Sequence, residues 1–292
     1  MIRPWRLYAA AASVTAALLT MAPASCTYYE KDRMNRVLAV GIDEYAYVNG
    51  LSACVSDARG VAASVSADTR VVIAGEAGNP IVTKSRVLEA IAEAAAEASS
   101  DEYGVFTFHY SGHGSDVNGG VLLMADTTLA LTAETVITVD ELLVAVAAVP
   151  ALVRVVILDS CYSGLFVDEG SSVSTLPGDE SVSLTELIAE AANRYDETAE
   201  GDLIVMSAAG AAELSQEFDT GDLAHGYFTM GLLESADHGD SDKDGLVTLT
   251  EAFDYASHYV IEVFNQEYPS YAYYPRISGS ALDVVLFKTQ NY

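Results

Sequence analysis

The sequence predicts an α/β protein: a doubly wound, mostly parallel sheet flanked by helices. Three observations lead there. Gly104–Tyr110 and Arg154–Leu158 are apolar runs dense in β-branched and aromatic residues, the pattern of strands buried on both faces. Lys84–Ala98 is an Ala/Glu stretch with Val87, Leu88 and Ile91 on one helical face. Strands and helices of these kinds alternate along the chain, which calls for crossover connections between parallel neighbours.

The elements follow in order. Met1–Arg6 is basic, Leu7–Ala22 is rich in Ala and Leu, and Ala22-Pro-Ala24 is a small-x-small cleavage site. Residues 1–25 therefore read as a signal peptide and the protein as exported. Cys26 at a mature N-terminus would carry a lipid, yet Pro23 stands where a lipoprotein signal usually has Leu. Lipid attachment at Cys26, with a membrane tether, and plain cleavage after Ala24 both stay open. The protein is then periplasmic, a surface lipoprotein or secreted. A polar linker, 26–34, leads to strand 1 at Arg36–Ile42 and a helix at Ser52–Ser66. A short strand, Arg70–Ile73, precedes the Lys84–Ala98 helix. After the strand ending at Tyr110 come an extended piece at Val121–Met124 and a helix over Thr138–Val149, closed by Pro150. Leu152–Leu158 is the next strand. Residues 166–201 are rich in Gly, Ser and acids, with one helical patch at Leu184–Ala192. Strand 5 (Leu203–Met206), a helix (His225–Ser235), a last helix from Thr248 and a final strand (Ala281–Phe287) complete one domain, 35–290.

Composition excludes several classes of function. The 292 residues are 51% hydrophobic and 9% aromatic, enough for a packed core. The 42 acidic and 14 basic residues give a formal charge of −28. No basic stripe exists to neutralise phosphates, so nucleic acid is not an expected partner. The excess of acids reads first as a solvated acidic surface, with attraction of a cationic partner as the alternative. The three cysteines, Cys26, Cys54 and Cys161, make no disulfide framework. Cys54 reads as a small buried hydrophobe, with a redox pairing to Cys161 as its alternative.

Two strand ends carry chemistry. One run continues as Tyr110-Ser-Gly-His113-Gly114, the other as Asp159-Ser-Cys161-Tyr-Ser-Gly164. Ligands of open α/β sheets bind at the carboxyl ends of the strands, so the two turns offer an imidazole and a thiol to one edge. A thiol is mostly protonated near neutral pH and needs such a base to become a nucleophile. The spacing, 161 − 113 = 48, agrees with the roughly 50 residues that separate His and Cys in caspases.

These motifs resemble those of caspase-like cysteine peptidases, particularly the bacterial metacaspase-like branch. Val37-Leu-Ala-Val-Gly-Ile-Asp-Glu-Tyr45, Leu51-Ser-Ala-Cys-Val-Ser-Asp57-Ala, Leu203–Ala209 and Gly226-Tyr-Phe-Thr229 add to the resemblance in the right order, over about residues 35–290. It implies a caspase-like sheet, Cys161 as nucleophile, His113 as base, and backbone N–H groups of Cys161 and Gly114 as oxyanion donors. It also implies that Asp57 and Asp159 line a primary pocket for Arg or Lys side chains. On their own, Asp57 reads equally as the cap of the first helix and Asp159 as an organiser of the Cys turn. Glu213 and Glu217 read as an acidic rim or a solvated face. His109 reads as structural, and His225, His238 and His258 show no setting that points to chemistry.

Asp240-Ser-Asp242-Lys-Asp244-Gly245-Leu246-Val-Thr248-Leu-Thr-Glu251 matches the twelve-position calcium loop. Asp240, Asp242, Asp244 and Glu251 would supply carboxylate oxygens, Leu246 its carbonyl, and Thr248 a direct or water-mediated ligand. An acidic turn capped by Thr248 or Thr250 is the alternative. The loop differs from the acidic calcium cluster of metacaspases, which follows the catalytic His; here Ser115–Gly120 is short and poor in acids. The chemistry itself requires no cofactor.

The expected function is an exported cysteine endopeptidase acting on proteins or peptides with basic residues. The rival is a catalytically silent, calcium-binding module of the same fold, or a peptidase of other specificity. Arg194 is the only basic residue between Arg154 and Lys243, so it is the expected self-cleavage site.

Overall fold

The computed structural model describes residues 33–98, 103–167, 202–218, 224–279 and 282–289. The expected signal peptide, Cys26, the Leu184–Ala192 patch and Arg194 lie outside the described residues.

The central sheet holds β1 (Arg36–Ile42), β2 (Thr69–Gly75), β3 (Tyr103–Ser111), β7 (Ala151–Asp159), β8 (Asp202–Ser207) and β12 (Arg276–Ser278), in the order β12-β8-β7-β3-β1-β2. All neighbours pair in parallel except β12, which runs antiparallel to β8 at one edge. The runs read as buried strands are buried along their whole length in β1 and β3. The period-2 alternation of a strand divides their side chains between two cores. Leu38, Val40, Phe106, Phe108, Tyr110, Val156 and Leu158 face α2 (Lys84–Glu97) and α3 (Val139–Ala147). Val37, Ala39, Val105, Val155 and Ile157 face α1 (Cys54–Ser64), α4 (Tyr227–His238) and α5 (Leu249–Tyr259).

Three short strands, β4 (Gly114–Ser115), β5 (Val121–Leu123) and β6 (Val136–Thr138), form a separate ladder after β3. Another pair, β9 (Glu217–Phe218) and β10 (His225–Gly226), leads into α4. Helix starts follow local chemistry. Thr138 and Thr248 each close a capping box, with Glu141 and Glu251, at α3 and α5.

One expectation about elements changes, and one strand was not foreseen. The final strand is shorter: β13 (Val285–Lys288) pairs with β11 (Leu246–Thr248), outside the central sheet. The edge strand β12 carries no strong strand pattern in sequence, because it is three residues long and pairs on one side only. No helix among the described residues is long and apolar enough to cross a membrane.

Candidate active site

The site grows from the register of β3 on β7. Ser111 pairs with Asp159 at the carboxyl ends of these strands. His113 and Cys161 each follow two residues later, so the sheet delivers them level with one another. The two turns touch: a Cβ on Gly114 would lie 2.2 Å from the Cys161 carbonyl oxygen. The Gly112 N–H donates to the Asp159 carbonyl at 3.2 Å, tying the turns together at their base.

His113 is held by two groups that the sequence reading did not assign. Its Nε2 lies 2.9 Å from the carbonyl oxygen of Asn49 in the loop after β1. A carbonyl only accepts, so Nε2 carries the hydrogen and the free lone pair sits on Nδ1. The backbone N–H of His113 donates to the Tyr45 hydroxyl at 2.9 Å, and the two rings pack at 4.8 Å. Tyr45 had a signal in sequence as the end of the first motif. Asn49 had none, because it acts through its backbone.

Cys161 is half-buried, and its Sγ lies 3.8 Å from the Ser215 carbonyl. Burial pushes its thiol above the usual cysteine range, with the Asp159 charge adding to the effect. The resting group is therefore a thiol that needs a base. The turn is set by Tyr162, a left-handed residue at φ 58°, whose N–H donates to the Glu213 carbonyl at 2.8 Å.

Asp57 and Asp159 come together below this pair, 0% and 5% exposed. Both are satisfied from the N-terminus of α4, where free N–H groups and the helix dipole favour anions. The Gly226 N–H donates to both Asp57 oxygens at 3.2 Å. Thr229 donates to Asp159 through its N–H at 3.1 Å and its hydroxyl at 2.7 Å. Asp57 also accepts from Ser111 Oγ at 2.7 Å and bonds His225 Nδ1 at 2.8 Å. Gly226 has no alternative: a Cβ there would lie 2.3 Å from Asp159 Oδ2. Burial raises both carboxyls, Asp57 to about 7 with the Asp159 charge adding to the effect, and Asp159 to about 6 with the Glu217 charge adding.

Three sequence readings are corrected here. Asp57 does not cap α1; Asp43 does, accepting from the N–H groups of Cys54 at 2.8 Å and Val55 at 3.3 Å. His225 is not without a chemical setting, because it bonds Asp57. Glu213 and Glu217 are not merely solvated. Glu213 accepts from the N–H groups of Gly210 and Tyr274, and Glu217 from those of Ser52 and Ala53. Cys54 is buried as expected, and so is His109.

The 240–251 loop lies at the other end of α4, a 12-residue helix about 18 Å long. Single carboxylate oxygens of Asp240, Asp242 and Asp244 fall within 4.8 Å of one another. Lys243 and Gly245 have positive φ, 66° and 89°, which folds the turn tightly. Glu251 accepts from Ser241 through one oxygen and from Thr248 through the other. The backbone of Leu246 and Thr248 runs in β11. The donor set is hard oxygen throughout and suits calcium by charge and atom type.

A family model described as a caspase domain matches residues 34–287. Among solved structures, caspase-1 from Spodoptera frugiperda is similar at 14% identity and a TM-score of 0.55, covering 89% of this chain and 91% of that one. The Drosophila initiator caspase Dronc is similar at 11% identity and 0.52, covering 87% and 82%. A Geobacter sulfurreducens protein gives 17% identity and 0.50, covering 85% and 93%. At these identities the likeness is one of fold. No curated sequence matches the chain.

Proposed function

The chain belongs to the caspase-domain family of cysteine-type peptidases, and from that premise we propose that it is an endopeptidase whose Cys161–His113 pair cleaves after Arg or Lys. The observation that supports this reading is the Ser111–Asp159 register, which brings the His113 and Cys161 turns to one edge of the sheet. His113 Nδ1 takes the Cys161 proton, while Asn49 holds the opposite ring nitrogen. The thiolate attacks the peptide carbonyl, and the N–H groups of Cys161 and Gly114 receive the developing oxyanion. His113 returns the proton to the leaving amine. It then activates water, which hydrolyses the thioester and frees Cys161.

Asp57 and Asp159 provide the specificity. Two buried carboxylates at one position favour a guanidinium or ammonium group over any neutral or acidic side chain. The protein substrates are accordingly ones with accessible basic residues. The 240–251 loop holds calcium through Asp240, Asp242, Asp244, Glu251 and the Leu246 carbonyl, with Thr248 completing the set. At the far end of α4 that ion would brace the α4–α5 connection and take no part in bond cleavage. The signal-like N-terminus supports export, with or without a lipid on Cys26.

Fluorogenic peptides ending in Arg, Lys, Asp or Ala test the reading, with Cys161→Ala as control. Hydrolysis of the Arg and Lys peptides alone, abolished in Cys161→Ala, is the expected result. Cleavage after Asp or Ala instead would keep the peptidase and overturn the basic pocket. A protein that hydrolyses none of them, yet is stabilised by calcium, would be the silent calcium-binding module.

A further inference from the structure

The Asp57–His225 pair has a feature that the peptidase mechanism leaves unused. Asp57 is almost completely enclosed, with 1% of its side chain exposed, whereas His225 keeps 14%. The imidazole is thus the link between the buried carboxyl and water. Every direction around Asp57 is occupied: His225 and the Gly226 N–H meet Oδ1, while Ser111 and the same N–H meet Oδ2. A guanidinium entering this site must take the place of one of these donors. The backbone N–H and the Ser111 hydroxyl belong to elements packed in the core. The His225 side chain is the donor that also meets water.

We propose that His225 is the internal counter-ion of the substrate pocket, and that a basic side chain binds by exchanging its own positive charge for one proton held between His225 and Asp57. This rests on the reading of Asp57 and Asp159 as the basic-residue pocket. In the empty pocket the Asp57–His225 pair shares a proton and is electrically balanced. When a guanidinium arrives, that proton leaves to solvent through the exposed imidazole, and the substrate cation supplies the balancing charge. No bond besides N–H or O–H is broken, and the charge within the pocket is unchanged by the exchange. The surrounding groups favour holding one cation there at all times. Asp57 and the Cys54 thiol lie on α1, Ser111 on β3, Asp159 on β7, Glu217 on β9 and Asp43 in the loop after β1, while Thr229 of α4 donates to Asp159. The carboxyls among them repel one another, which a resident positive charge relieves.

His225 thereby acts as a positioning residue through Asp57, and linkage sets its consequences. If protonation opposes binding, binding must expel the proton, and the two effects are equal in free energy. KM for an Arg substrate should rise as the pH falls below about 7, where Asp57 takes up its proton. kcat should not respond to the protonation of Asp57.

The test uses Cys161→Ala protein and a short peptide ending in arginine, with binding heats measured in two buffers of different ionisation enthalpy. The expected result is release of up to one proton per peptide when binding is measured near pH 7, where the Asp57 carboxyl is held. His225→Asn places a neutral donor at the Nδ1 position and should at least halve that release. In the active enzyme the same substitution should flatten the rise of KM toward acid pH while kcat keeps its profile. Peptide binding without proton release, or equal release in His225→Asn, would overturn the role of His225 and leave the basic pocket standing. Binding of peptides ending in other residues, but not of the arginine peptide, would remove the pocket and this inference with it.

Discussion

Gly114 packs so closely on Cys161 that a Cβ would lie 2.2 Å from its carbonyl oxygen, a contact that forces one of the two turns to move. The His113 and Cys161 turns are thus in van der Waals contact through a residue with no side chain. Gly114→Ala should separate them without touching either reactive group. A displacement of about 1 Å costs on the order of 100-fold in rate. Steady-state kinetics should show kcat down by about that factor, with the far-ultraviolet circular dichroism unchanged. Full activity in Gly114→Ala would mean that the two turns are not held in this arrangement during catalysis.

His109 governs stability in acid. It is fully buried in β3, neither ring nitrogen has a hydrogen-bond partner, and burial lowers its pKa from 6.5 to about 3. The unfolded chain therefore binds a proton below about pH 6.5 that the folded chain refuses. Stability contributed by the neutral ring is complete above that pH and is lost as pH falls toward 3, at about 1.4 kcal/mol per pH unit. His109→Leu removes this loss and the two orphaned nitrogens. Urea denaturation at pH 7 and pH 5 should show a smaller decline for the variant. An equal decline would place the acid sensitivity elsewhere.

Asp57 and Asp159 act in the opposite sense. Their folded pKa values are raised, to about 7 and about 6, above 3.8, so their contribution favours the folded state in acid. It is lost as pH rises through the folded values. Asp57→Asn should raise the melting temperature at pH 8 relative to the parent, more than at pH 5, while raising KM for Arg peptides at least tenfold. An unchanged KM would take Asp57 out of the pocket.

Calcium should stabilise the protein through the 240–251 loop. At a hundredfold excess over Kd the gain is about 2.7 kcal/mol, which for a domain of this size is a melting shift of about 5 °C or more. Asp240→Ala combined with Asp244→Ala should abolish the shift while leaving peptide hydrolysis in place. An identical shift in the double variant would put the ion at another site.

Self-processing offers a test outside the pocket itself. If the specificity is basic, incubation should give a new N-terminus at Tyr195, after Arg194, and none in Cys161→Ala. Cleavage in the 166–201 stretch after an acidic residue would contradict the basic pocket.

Sequence alone determined the parts of this protein that are local. The runs ending at Tyr110 and Leu158 could be read as buried strands because composition and period are written within a few residues. The His113 and Cys161 turns were legible because each motif adjoins such a run. The proposed pocket role of Asp57 and Asp159 was reachable only through the family resemblance, since Asp57 by itself read equally well as a helix cap. What tertiary structure decided was partnership. Asp43, not Asp57, caps α1, because the loop after β1 folds back over the helix start. His225 meets Asp57 across 168 residues, a pairing with no local signature. The short β12 joins the main sheet, while β13 leaves it for β11. The β3–β7 register that brings the two turns to one sheet edge belongs to the same class. A period-2 pattern tells a strand which face to bury, but the choice of neighbour and offset is made by packing among distant segments, after the chain has closed on itself.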